Sequence, residues 1–300
     1  MPSASLTSFA KINVGLKIIS KRDDGYHDLE TIFYPVDLYD YIDITIEPGY
    51  LQVNSININS DFETLPNDSS NICYEAIEHF FNEFPQKDTY AFDIFIHKNI
   101  PVGGGLAGGS SNAGAVINYL AEHFGIDNEK NWDRLIKVAL NTGSDVPFFL
   151  YGKPCFASGR GEKIIPLESF EINYDILLVN PNIHVSTKEA FDALAYKPGE
   201  IHKSDLKSVE IFELGNEPVL ENDFERVVFP MYPEIAEIKK LMLENGAVFS
   251  SLSGSGATVY GLFAPQEFKL EMLMQNFNES GYFTYLSELK NRQSDFQTEL

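Results

Sequence analysis

The chain has 300 residues, 44% of them hydrophobic and 22% charged, which suits one large or two ordinary domains with sizeable cores. Its 22 basic and 44 acidic residues give a net charge of −22, which argues against a nucleic-acid or anionic-membrane partner, because polyanions are gripped by a basic footprint. Cys73 and Cys155 show neither CxxC nor metal-type spacing, Met1 to Ile12 holds no secretory apolar region, and no apolar run approaches the about 18 residues of a membrane span. A reduced cytoplasmic protein is expected, and any anionic substrate must be attracted locally.

Residues 9–19 alternate, with Ala10, Ile12, Val14, Leu16 and Ile18 on one face and Lys11, Asn13, Gly15 and Lys17 on the other. That period predicts a half-buried strand. A charged turn, Lys21 to Asp24, leads to Gly25-Tyr26-His27. Further strands are predicted over Tyr41–Glu47, over Leu51–Asn59 with a turn or bulge near Asn54-Ser55, and over Ala91–Ile100. Ile72, Ala76, Ile77, Phe80, Phe81 and Phe84 form the apolar stripe of a helix over Asn71–Phe84. A second stripe runs from Ala113 to Phe124 and stops at Gly125, a helix-ending glycine.

Trp132–Thr142 is predicted helical up to Gly143, and Ser144-Asp145-Val146-Pro147 reads as the cap and first position of another helix. Tyr174–Val179 and Ala257–Phe263 read as strands, Pro230–Asn245 as a helix, and Lys197–Glu221 as a loop-rich excursion. Alternating strands with helices between them favour mixed or antiparallel sheets, an α+β class.

Six of the 21 glycines lie between Gly103 and Gly114, directly before the second stripe. Such a loop turns successive N–H groups toward one point, and the following helix adds its positive end, so a phosphate site is predicted. Ser110 and Ser111 offer hydroxyls to a phosphate oxygen or a magnesium ion. Neutral donors bind an anion at contact range even in an acidic protein, whose distant charges are screened beyond ~8 Å. A flexible turn is the bland alternative. Gly103-x-Gly105-x-x-Gly108 formally fits a dinucleotide fingerprint, but Pro101 intervenes and the preceding strand alternates. No Gly-Lys-Ser/Thr follows, which excludes a Walker loop at this run.

Lys11 and Asn13 share a strand face whose default is solvent. Asp145 at a helix start has a dipole-complementing role as its default. Ser251 to Ala257 is a second small-residue loop that suggests another backbone surface near the same ligand. The six histidines are scattered and support no metal site.

Three separated motifs carry a resemblance. Ser8-Phe-Ala-Lys-Ile-Asn-Val-Gly-Leu16, Pro101-Val-Gly-Gly-Gly-Leu-Ala-Gly-Gly-Ser-Ser-Asn-Ala113 and Ser253-Gly-Ser-Gly-Ala-Thr258 resemble the three motifs of the galactokinase, homoserine kinase, mevalonate kinase and phosphomevalonate kinase superfamily. Asp24-Gly-Tyr-His-Asp-Leu-Glu-Thr31, Gly143-Ser-Asp-Val-Pro-Phe148, Val179-Asn-Pro181 and Asn222-Asp-Phe-Glu225 are similar to the branch that phosphorylates a diphosphocytidyl polyol on a non-mevalonate route to isoprenoid precursors. The resemblance implies a two-domain small-molecule kinase fold with the site in the cleft, an ATP-binding domain over 1–154 and a substrate domain over 155–300.

It also implies transfer of the ATP γ-phosphoryl to the C2 hydroxyl of the methylerythritol moiety, with Mg2+ expected. On this resemblance Lys11 and Asp145 are catalytic, Asp145 orienting or deprotonating the hydroxyl. Asn13 contacts the polyol, Tyr26 and Phe191 stack on the cytosine, and His27 reads its edge. Asn71, Ile72 and Lys98 lie near the adenine. Pro101, Gly103, Gly104, Gly105, Leu106, Ala107, Gly108, Gly109, Ser110 and Ser111 hold the phosphates. Ala107 stands where the family usually has glycine, and Gly114 where it usually has alanine. A monomer or weak homodimer is expected. The rivals are a sister kinase of homoserine or mevalonate, a non-catalytic nucleotide binder on the same fold, and, more remotely, a redox dinucleotide enzyme.

Overall fold

A computed structural model describes residues 3–50, 52–197, 199–209, 212, 219–265 and 269–291. The chain forms two compact units. One comprises Met1–Ala10, Tyr39–Ile100 and Ala107–Gly152, the other Lys11–Leu38, Pro101–Leu106 and Lys153–Leu300. They are discontinuous in sequence because two long strands, β1 (Ser3–Lys21) and β2 (His27–Pro48), contribute to both.

In the first unit the second half of β2 pairs antiparallel with β4 (Tyr90–His97), and β4 pairs parallel with β3 (Ser55–Ser60). The strand expected from Leu51 thus opens at Ser55; Leu51 lies outside the described residues. Ile42, Ile44 and Ile46 of β2 and Phe92, Ile94 and Ile96 of β4 alternate onto one face. They pack with helices α1 (Ile72–Glu83), α2 (Gly108–His123) and α3 (Trp132–Thr142), which supply Phe80, Ile117 and Leu135 to the same core. Helix α4 (Val146–Tyr151) closes the unit. Asp145 is its cap residue but makes no side-chain cap bond, and Pro147 occupies the second helical position where the sequence suggests the first.

In the second unit the first half of β2 pairs with β5 (Cys155–Gly159), which turns back into β6 (Lys163–Pro166). A second sheet has the order β10-β7-β9-β8, all antiparallel, from β7 (Asp175–Asn180), β8 (Phe249–Leu252), β9 (Val259–Phe263) and β10 (Phe283–Ser287). Helices α5 (Thr187–Ala193), α6 (Glu225–Met231), α7 (Pro233–Glu244) and α8 (Lys269–Glu279) accompany it. The predicted helix over Pro230–Asn245 is therefore two. Tyr232 precedes Pro233 and takes φ −133°, ψ 78°, because a residue before proline is pushed out of the α region. Within the loop-rich excursion, a short 3-10 turn spans Leu206–Ser208, while 198, 210, 211 and 213–218 lie outside the described residues. No helix among the described residues is long and apolar enough to cross a membrane.

Candidate active site

The glycine run leaves β4, crosses an irregular loop and enters α2. Its backbone takes left-handed values at Gly103 (φ 67°), Gly105 (φ 79°) and Ala107 (φ 56°). The chain itself crowds four of the six glycines: a Cβ on Gly108 would stand 2.9 Å from Ile100 Cγ2, and one on Gly114 would stand 2.6 Å from Phe149 Cβ. A Cβ on Gly105 would stand 2.1 Å from the Ser253 carbonyl oxygen, and one on Gly104 would stand 2.7 Å from Asn180 Nδ2. Gly103 and Gly109 are exposed, and a Cβ on Gly109 would meet nothing nearer than Ile72 at 3.6 Å. The run therefore serves packing at 104, 105, 108 and 114, a Cβ on Gly103 would meet His184 Nδ1 at 3.3 Å, and open backbone is left at 109. Pro101 is half-buried and Leu106 buried, so they anchor the loop.

Helix α2 begins at Gly108 behind Ala107, which provides no side-chain cap. Ser111 N–H already donates to the Ala107 carbonyl at 2.9 Å. The N–H groups of Gly108, Gly109 and Ser110 have no intrahelical acceptor and carry the positive end of the helix dipole. The Ser111 hydroxyl is buried without a hydrogen-bond partner. An oxyanion with a hard cation fits this set: backbone donors for the anion, hydroxyl oxygens for the cation.

Beneath the start of α2, Lys98 is buried in an ion pair with Asp40. Asp40 on β2 also accepts from the N–H groups of Asn99 and Ile100, 2.8 Å each, and from Asn112 Nδ2 at 3.0 Å. Asn112 Nδ2 reaches Ser8 Oγ at 2.6 Å. A Cβ on Gly108 would stand 3.1 Å from Lys98 Nζ, so Lys98 supports the loop's end from below. Asn71 caps α1, its Oδ1 accepting from Cys73 N at 2.9 Å and its Nδ2 donating to the Pro66 carbonyl. Ile72 and Ser110 both border Gly143, whose Cβ would lie 3.5 and 4.0 Å from them, which brings the turn leading to Asp145 against the first turn of α2. Asp40 had no signal in the sequence: it is one acidic residue in a strand.

Lys11 and Asn13 are 3% and 2% exposed, so their strand face is not the solvated one that composition suggests. Lys11 Nζ donates to Asn13 Oδ1 at 2.6 Å and to the Gly105 carbonyl at 3.0 Å. Asn13 Nδ2 donates to Thr31 Oγ1 at 2.8 Å. Ser253 accepts from Asn13 N at 3.3 Å and donates to the Gly105 carbonyl at 2.9 Å. The second small-residue loop thus meets the first at Gly105. The Asn13 amide and the Gly105 carbonyl thus help fix a buried ammonium in place on the first strand.

Tyr26 is 52% exposed in the turn between β1 and β2, and the Arg160 guanidinium lies 4.0 Å over its ring. His27 is 7% exposed, with Nε2 buried and unpartnered. Its ring stacks on Phe191 of α5, which gives one face to this contact and meets Phe224 edge-on. Burial, with Lys21 nearby, lowers the His27 pKa, against the opposing pull of Asp192 and Asp28. Arg160 was not singled out in the sequence. Burial raises both thiols to about 12, so neither cysteine is a nucleophile at neutral pH.

An uncapped helix start behind a left-handed glycine loop suits an anion such as a phosphate group, a feature that phosphate-transferring enzymes share. Residues 71–153 match the family model GHMP kinases N terminal domain, and residues 200–277 match GHMP kinases C terminal. A protein of Bacteroides fragilis named 4-diphosphocytidyl-2-C-methyl-D-erythritol kinase is 37% identical over 94% of this chain and 98% of its own. One of the same name from Clostridioides difficile is 38% identical over 87% of each. A crystal structure of 4-(cytidine 5'-diphospho)-2C-methyl-D-erythritol kinase superposes with a TM-score of 0.73 at 26% identity, covering 94% of this chain and 98% of that one. The chain belongs to this family of small-molecule kinases.

Proposed function

We propose that this chain transfers the γ-phosphoryl group of ATP to the C2 hydroxyl of 4-diphosphocytidyl-2-C-methyl-D-erythritol, a step toward isoprenoid precursors, in the cytoplasm and as a monomer or weak homodimer. The family relatives support the substrate. The observation that carries the phosphate chemistry is the uncapped start of α2 beside the orphaned Ser111 hydroxyl. On this reading residues 1–154 serve mainly ATP and 155–300 complete the substrate side.

Phosphoryl transfer needs positioning and charge neutralisation more than covalent help. The N–H groups of Gly108, Gly109 and Ser110 receive phosphate oxygens, while Gly109 allows close approach and Gly103 shapes the loop. Asn71, Ile72 and Lys98 border the adenine. Ser110 and Ser111 are the hydroxyls available to Mg2+, which offsets phosphate charge when bound with ATP. Lys11 offers fixed positive charge to the charge that spreads in transfer. Asp145 orients the C2 hydroxyl; a carboxylate is a weak base toward an alcohol, so orientation precedes proton loss. Asn13 holds Lys11 and faces the polyol, and Tyr26, His27 and Phe191 take the cytosine.

The test is ADP release from ATP and Mg2+, with the diphosphocytidyl polyol offered beside homoserine and mevalonate. Release with the first alone, reduced at least about a hundredfold in Asp145→Asn with both substrates still bound, is the expected result. Release with another acceptor overturns the substrate, and near-normal turnover in Asp145→Asn removes that residue from the chemistry.

A further inference from the structure

Four consecutive residues, Asn222-Asp223-Phe224-Glu225, reach three parts of the unit that holds Lys11. Asn222 is buried, and its Nδ2 donates to the carbonyls of Leu252 and Gly254 at 2.8 Å each. Glu225 Oε1 accepts from Leu252 N and from Ser251 Oγ at 3.0 Å each, while Lys239 holds Oε2 at 2.6 Å. The loop over Ser251 to Gly254 is thereby gripped on both sides of Ser253, whose hydroxyl donates to the Gly105 carbonyl that Lys11 also contacts.

Asp223 turns the other way. Its N–H donates to the Leu16 carbonyl at 2.8 Å, and its carboxylate accepts from Ile18 N at 2.9 Å, on the strand of Lys11 and Asn13. The ring of Phe224 meets Phe191 at 4.8 Å and 80°, and Phe191 stacks on His27. Asn222 Oδ1 also accepts from Phe224 N at 2.9 Å and shapes the turn into α6, but that bond leaves its Nδ2 free for the Leu252 and Gly254 carbonyls and does not account for the Phe224 ring.

Resting on the reading above, we propose that Asn222 and Phe224 are positioning residues with separate outputs. Asn222 sets the phosphate side through Ser253, Gly105 and Lys11. Phe224 sets the nucleobase side through Phe191 and His27. A polar residue that aligns a reacting group changes the rate once both substrates are bound, because small displacements there are costly. An aromatic residue behind a ligand-facing ring changes ground-state binding instead.

The experiment compares Asn222→Ala and Phe224→Leu in steady-state kinetics, in calorimetric binding of adenosine 5'-(β,γ-imido)triphosphate and of cytidine 5'-diphosphate, and in thermal unfolding. Asn222→Ala is expected to lower kcat about tenfold or more and to weaken the ATP analogue, leaving cytidine diphosphate within about twofold. Phe224→Leu is expected to raise the KM of the cytidyl substrate and the Kd of cytidine diphosphate about threefold to tenfold, leaving kcat and the ATP analogue unchanged. A merely structural role would move both ligands together as the folded fraction falls; that pattern overturns the proposal, as does a folded variant with no shift. If the wild type binds both nucleotides but does not turn over the diphosphocytidyl polyol, the function reading fails while the two binding measurements still decide the split. Absence of cytidine diphosphate binding to the wild type overturns the Phe224 half.

Discussion

His27 lies flat on Phe191, ring centroids 4.5 Å apart and 13° from parallel, with its Nε2 buried and without a partner. Burial disfavours the imidazolium, so the folded pKa lies below the ordinary 6.5. Between those two values the unfolded chain binds more protons than the folded one. Stability is therefore lost as pH falls below about 6.5, and the loss levels off under the folded pKa. Urea unfolding of the wild type and His27→Gln at pH 7.5 and 5.5 checks this. The wild type should lose more stability than the variant over that interval, and an equal loss removes His27 from the pH response.

Ala107 has left-handed φ 56° and ψ 33°, values that cost an L-residue with a Cβ about 1–2 kcal/mol. Glycine escapes that cost but loses about 0.5–1 kcal/mol more chain entropy on folding. Ala107→Gly should therefore stabilise by up to about 1 kcal/mol, a rise in Tm of about 2 °C. Ala115→Gly, inside α2, should lower stability by about 1 kcal/mol. The opposite signs make the comparison decisive; two decreases would mean that the loop relaxes around Ala107.

How much was legible follows from cases like this one. Helix α2 was readable because its stripe keeps a 3.6 period up to Gly125. The first half of β2 was not, because Thr31, Ile32, Phe33 and Tyr34 are all buried, which erases the alternation that marks a half-exposed strand. Lys11 and Asp145 came from motif resemblance, since one charged residue on a strand or at a helix start reads as solvated by default. Asp40 and Arg160 stayed invisible because their partners lie far away in sequence. Only the fold shows that Lys98, 58 positions from Asp40, lands on it.

The glycines of the loop separate into two kinds. Gly105→Ala forces a Cβ to 2.1 Å from the Ser253 carbonyl at φ 79°, and should cost about 2–3 kcal/mol and loosen the contact to Lys11. Gly109→Ala meets only ordinary contact, so Tm should hold while the KM for ATP rises if a phosphate lies over that backbone. Calorimetry and initial rates on the two variants check the contrast. Unchanged ATP KM in Gly109→Ala would place the phosphates elsewhere on the loop.

Asp40 and Lys98 are buried together, their side chains 0% and 4% exposed. Asp40→Asn sets an amide donor against the Lys98 ammonium and should cost about 3–5 kcal/mol, since an uncompensated buried charge remains. Lys98→Met should cost less, because the Asp40 carboxylate keeps the N–H groups of Asn99 and Ile100 and the Asn112 amide. The double variant should recover part of the loss. Urea unfolding of all four proteins measures the coupling, and additive losses would show that the pair does not act as a unit.

Arg160 covers one face of the Tyr26 ring at 4.0 Å, and Tyr26 is 52% exposed. A ring held on one side offers the other to a base, and base–aromatic stacking is worth about 1–3 kcal/mol. Stacking binds ground and transition states alike, so Tyr26→Ala should raise the KM of the cytidyl substrate by about tenfold or more with kcat nearly unchanged. Arg160→Met removes the cation–π contact, about 0.5–1 kcal/mol, and should raise the same KM a few-fold. Neither change should shift Tm much, because the turn is exposed and contributes little to the core. A fall in kcat at constant KM in Tyr26→Ala would instead tie this turn to the phosphoryl-transfer step and contradict its reading as a base-stacking surface.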